Sequence, residues 1–146
     1  MGLDMYLTGD KMKRTEYDKD YNEINVQYVD GFPCKTQRLD LGYWRKHGPL
    51  HRFIVENYAD GEDDCRPIYL NSDQLYEIAE AIREDKLVSN EDSHGFFFGS
   101  DEWWDELRKE REEHAQTFEK AAEWVSQANS NESEQYWHSV EYCASW

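Results

Sequence analysis

Apolar and polar residues alternate with a period of two at the start of the chain. Leu3, Met5 and Leu7 are interleaved with Asp4 and Tyr6, which predicts a strand over Gly2 to Thr8. The stretch Lys11 to Asp20 is dominated by charge and reads as a solvated loop. Alternation returns from Glu23 to Val29, with Ile24, Val26 and Tyr28 on one face, and predicts a half-buried strand. Asp30-Gly31-Phe32-Pro33 supplies a turn, and Leu39, Leu41 and Tyr43 alternate with Asp40 and Gly42 in a further strand ending near Trp44.

The period then changes to that of a helix. Pro49 suits a first helical turn, where its missing N–H costs nothing, and Gly48 stands just outside as the expected cap. Leu50, Phe53, Ile54 and Tyr58 follow at helical spacing until the acidic run Asp60 to Asp64. Ile68 to Leu70 reads as a short strand. Asn71 with Gln74 predicts a capping box for a second helix carrying Leu75, Ile78, Ala79 and Ile82. Ser100 before Asp101 and Glu102 caps the longest predicted helix, Asp101 to Ala128, whose apolar stripe is Trp104, Leu107, Ala115, Phe118, Ala122 and Val125. A polar loop over Asn129 to Glu134 precedes a last strand, Tyr136 to Cys143. Strands, helices and a closing strand predict an α+β fold of one domain over residues 1–146, with a small antiparallel or mixed sheet and about three helices.

Composition narrows the function. The chain has 146 residues and a formal net charge of −16, from 32 Asp and Glu against 16 Lys and Arg. Its mean hydropathy is low, yet 10 Tyr, 6 Trp and 6 Phe supply the large side chains a core requires. Such a charge repels phosphate backbones and anionic lipid heads, so nucleic acid and membrane surfaces are not expected partners. No apolar run reaches the ~20 residues of a membrane helix, and the opening MGLDMYLTGD lacks a signal-peptide pattern. Cys34, Cys65 and Cys143 are odd in number and widely spaced, which suits free thiols in a reducing cytoplasm.

One local anomaly stands out. Between Leu41 and Val55 the chain carries Arg45, Lys46, His47, His51 and Arg52 without a single acid. A helix starting at Pro49 would aim its positive end at the same place, so an anion is favoured there. Tyr43 and Trp44 alongside could stack on a base. The expected ligand site is therefore Tyr43, Trp44, Arg45, Lys46 and His51. Other motifs are weaker. Gly95 to Ser100 has two glycines around three phenylalanines but no P-loop lysine, and reads as a strand leading to a helix cap. His47 and His51 have the spacing of a metal pair, but Gly48 replaces the zincin glutamate, so no metal or other cofactor is expected. Asp63, Asp64 and Cys65 have no histidine beside them in sequence and read as an exposed acidic turn.

The segments MGLDMYL, LGYWRKHGPLH, DGEDDC, GFFFGS and YCASW together resemble a family of small, uncharacterised bacteriophage and prophage proteins. The resemblance implies a viral protein acting in the host cytoplasm and, by association, against host defence. It implies no reaction, and the residues offer no nucleophile–base pair, which weighs against an enzyme. The expectation is a phage accessory protein that binds a small anionic ligand such as a nucleotide without turnover. The alternative is an acidic inhibitor that binds a host protein by imitating nucleic acid. Self-association is left open.

Overall fold

The structure is a computed structural model that describes residues 2–87, 98–130 and 136–146. In chain order its elements are β1 (Asp4–Lys13), β2 (Glu16–Tyr17), β3 (Glu23–Ile24), β4 (Tyr28–Val29), β5 (Phe32–Pro33), β6 (Thr36–Arg45), α1 (Gly48–Tyr58), β7 (Ile68–Leu70), α2 (Ser72–Arg83), α3 (Asp101–Lys109), α4 (Arg111–Ser130) and β8 (Tyr136–Ser145). The fold is α+β. Its main sheet has the order β6-β1-β8-β7, and every neighbouring pair is antiparallel. Two small hairpins, β2–β3 and β4–β5, fill the connection from β1 to β6.

Alternation along the sheet separates two environments. Met5, Leu7, Val140 and Tyr142 lie on the face packed against the helices and are fully buried. Tyr6, Tyr43, Tyr69 and Trp137 stand on the other face, 43–67% exposed. The helices bury the stripes their spacing predicted: Leu50 and Ile54 of α1, Leu75, Ile78, Ala79 and Ile82 of α2, and Ala115, Phe118, Ala122 and Val125 of α4. At the centre, Phe118 stacks on Trp44 with ring centroids 5.0 Å apart. Among the described residues no helix is long and apolar enough to cross a membrane.

Several elements differ from the sequence pattern, each for a tertiary reason. β1 runs on through Lys11 to Lys13 because both neighbours hydrogen-bond to it there, and Lys11 lies 4.4 Å over the Tyr136 ring. The expected strand from Glu23 to Val29 is broken at Asn25, which takes a left-handed conformation (φ 57°). Asp30 and Gly31 have φ values of 51° and 83° between the paired Val29 and Phe32, the positive pair a type I′ hairpin requires. His47, not Gly48, caps α1, and the Asn71–Gln74 capping box closes with two bonds of 2.9 Å. The long helix divides at Glu110 into α3 and α4, so four helices are described. Across the break the same apolar stripe is buried; Trp104 of α3 donates to the carbonyls of Lys46 and Phe98, while α4 packs against β8. Residues Gly95 to Phe97 of the glycine-bracketed motif, and most of the polar loop before β8, lie outside the described residues.

Candidate functional site

The five residues singled out as a ligand site do not converge. A bulge places two residues of β6, Asp40 and Leu41, in the span from Thr8 to Leu7. Beyond it Trp44 points into the core, 4% exposed, while Tyr43 and Arg45 share the open face. The Tyr43 hydroxyl donates to Asp4, which raises its pKa, and Asp4 is the register partner of Arg45. Lys46 leaves the strand with φ 52°; its N–H donates to the Leu3 carbonyl at 2.7 Å. His51 is buried in α1, 1% exposed.

The N-terminus of α1 is also satisfied from within. The Gly48 N–H donates to the Phe98 carbonyl at 3.2 Å, Pro49 has no N–H, and the Leu50 N–H reaches His47 Nδ1 at 3.4 Å. Burial pulls His47 down to about 3, so it is neutral at pH 7. Arg52 lies 3.6 Å from Glu56 and 3.8 Å from Asp63. The donors at the start of α1, and Arg52, thus already have partners within the protein.

The structure instead assembles a cluster from residues far apart in sequence. His51 Nδ1 lies 2.6 Å from the Tyr142 hydroxyl, and Nε2 lies 2.9 Å from both oxygens of Asp63. Burial raises the Tyr142 pKa and lowers that of His51, so the phenol keeps its proton and the imidazole is neutral. The consistent tautomer has Tyr142 O–H donating to Nδ1 and Nε2–H donating to the carboxylate. Phe98 and Trp146 pack on the ring, with centroids 6.0 and 5.5 Å from it. Trp103 donates to the Arg45 carbonyl at 2.8 Å, and Trp104 to that of Lys46 at 3.0 Å. Five segments singled out in the sequence therefore meet at one end of the sheet. Asp63 and His51 escaped notice as a pair because eleven residues and the end of a helix separate them, and no periodicity connects a loop carboxylate to a helix histidine.

This cluster does not activate a nucleophile. Cys65 is exposed nearby, but burial of its sulfur and the adjacent Asp63 raise its pKa, which disfavours the thiolate. Both nitrogens of His51 are already engaged, leaving no base for the thiol. Its effect is mechanical: it ties the loop after α1 to the helix and to β8. Among the described residues no group of three or more His, Cys, Asp or Glu is placed to hold a metal ion.

Two surfaces remain. A cleft of about 840 Å³ is lined by Trp137, His138 and Ser139 of β8, by Asn71 and Ser72 at the start of α2, and by Ser126 of α4. The second is the outward side of α3 and α4, where Asp101, Glu102, Asp105, Glu106, Glu110, Glu112, Glu113 and Glu123 are all exposed. Compared with known proteins, the chain matches no family model, no curated protein and no solved structure.

Proposed function

We propose that this chain acts by binding a protein, without turnover, and that the acidic side of α3 and α4 occupies a basic, nucleic-acid-binding groove on a host protein. The observation that carries this reading is the charge of that surface. From Asp101 to Glu123 there are nine acids and four bases, in a chain of net charge −16. A surface with such an excess of acids steers a positively charged partner and imitates the charge along a phosphate backbone. The phage-like segments supply the setting, a phage accessory protein acting against a host function in the host cytoplasm.

The test is capture from host lysate at low and high salt, with the Glu106→Lys/Glu113→Lys double variant beside the parent. Both positions are exposed, and among the described residues Glu106 pairs with exposed Lys109, so reversal leaves the fold intact. Capture that falls with salt and with the reversals is expected, since exposed charges are screened beyond ~8 Å at physiological ionic strength. Capture indifferent to both overturns the reading.

A second reading, binding of a small anion such as a nucleotide, is favoured by the shared exposure of Tyr43 and Arg45. It predicts a raised melting temperature with nucleotides, equivalent to about 2.7 kcal/mol at a hundredfold excess over Kd, and loss of that shift in Arg45→Ala.

A further inference from the structure

Two cysteines far apart in the chain meet where the loop after α1 passes β8. The Cys143 Sγ–H donates to the Cys65 carbonyl at 3.7 Å, and the Cys65 sulfur in turn accepts from the Trp146 N–H. The register explains the approach. β7 pairs Ile68 with Tyr142, so the chain enters that strand alongside Cys143, and Cys65 stands three residues before Ile68. Each sulfur therefore touches the segment that carries the other.

Three further features suit these thiols to a bond between them. Neither is enclosed: Cys65 is exposed and Cys143 half-buried. Residues 59–67, all described, lie outside helix and strand. Side-chain rotation with a small shift of this loop can thus bring the sulfurs to the ~2.05 Å of a disulfide. Cys65 also has φ 63°, a left-handed conformation that a residue with a Cβ rarely adopts, and strain of this kind gathers at working sites. The third cysteine does not compete. Cys34 sits before β6, where its Sγ–H donates to the Thr36 carbonyl at 3.7 Å, and Thr36 pairs with Met12 whereas Cys143 pairs with Tyr6.

We propose that Cys65 and Cys143 form a reversible intramolecular disulfide when a small oxidised disulfide, such as oxidised glutathione, is present. The Cys65 thiolate attacks one sulfur of that molecule and releases one glutathione thiolate, which leaves a mixed disulfide. The Cys143 thiolate then attacks Cys65 Sγ and expels the second glutathione. Two protein thiols give up two protons and two electrons, and one oxidised glutathione takes them up to become two reduced ones. The slow ionisation of Cys65 limits the rate of the first step without changing the product. The bond fastens the loop to β8 covalently, beside the contacts that Asp63 makes with His51 and His51 with Tyr142. A reducing compartment keeps the pair open, and an oxidising one closes it. The inference stands apart from the protein-binding reading, since its test uses this chain alone.

The test places the reduced protein in millimolar oxidised glutathione and follows intact mass, peptide masses and thermal melting. The expected product has lost two hydrogens, carries no glutathione on Cys65 or Cys143, and yields a linked pair of the tryptic peptides that contain them. Its melting temperature should rise by about 5 °C or more, because the bond closes a long loop of the unfolded chain, and reductant should reverse the rise. Cys143→Ser keeps a hydrogen-bond donor at that position; the same treatment should leave glutathione on Cys65 and give no such rise. At equal glutathione, the ratio of disulfide to dithiol should be at least about tenfold higher in the folded protein than in urea. Any of four results overturns the proposal: no reaction of either thiol, glutathione persisting on Cys65 or Cys143 in place of the link, a link from either to Cys34 or to a second molecule, or equal ratios in the folded protein and in urea. A bond that forms and leaves the melting temperature unchanged overturns the fastening of the loop.

Discussion

His47 makes acid lability measurable at one residue. It caps α1, is 6% exposed, and accepts the Leu50 N–H on Nδ1, so a proton on that nitrogen would displace the bond that starts the helix. Burial is the chief cause of its lowered pKa; His114, with its ring 6.0 Å away, and Arg108 push the same way. Its pKa falls from 6.5 in the unfolded chain to about 3 in the fold. Because the folded value is the lower one, the unfolded state takes up the proton first. Stability is therefore full above pH 6.5 and is lost as pH falls toward 3. Each unit in that window costs about 1.4 kcal/mol, so acidification from pH 6.5 to 4 costs on the order of 3 kcal/mol at this residue. The assay is urea denaturation of the parent and His47→Asn across pH 4 to 7. Asparagine retains a capping oxygen but cannot titrate. Its overall stability is set by repacking, so the readout is the slope with pH. The parent should be steeper by about 1 kcal/mol per pH unit, with every carboxylate contributing equally to both. Parallel slopes would refute the assignment of a buried, neutral His47.

Other consequences follow from the cluster at the same end of the sheet. Asp63→Ala leaves the His51 Nε2–H without its acceptor and Arg52 without one of its carboxylates, and should cost about 2–3 kcal/mol by denaturant titration; a loss below about 0.5 kcal/mol would mean that the clasp contributes nothing. Cys65, with its pKa raised by burial and nearby acids, should be alkylated at pH 7 more slowly than a cysteine in an unstructured peptide. Faster alkylation than that reference would restore it as a candidate nucleophile.

Local rules carried most of the fold. The capping box at Asn71, the Ser100 cap, Pro49 in the first turn of α1 and the stripe from Trp104 to Val125 depend on residues within a few positions of one another, and all stand in the structure as read. The pattern failed where distant partners decide. Lys11 to Lys13 looks solvated in isolation but is paired on both sides by strands from elsewhere in the chain. One residue of register separates Trp44 from Tyr43 among the residues expected to bind a ligand. Leu39, Leu41 and Tyr43 alternate as if on one face, but the bulge that includes Leu41 exchanges the faces beyond it. Tyr43 is thereby sent outward and Trp44 into the core. The charge excess was legible from composition, whereas its placement on the outer side of α3 and α4 follows from which stripe those helices bury.

If the acidic helices stand in for a nucleic-acid backbone, nucleic acid should compete with them for the partner. The protein is immobilised, host lysate is passed over it, and bound material is eluted at constant ionic strength with duplex DNA. A discrete set of host proteins should be released by DNA and not retained by the Glu106→Lys/Glu113→Lys variant. Partners that DNA fails to release, and that the variant retains equally well, would contradict it.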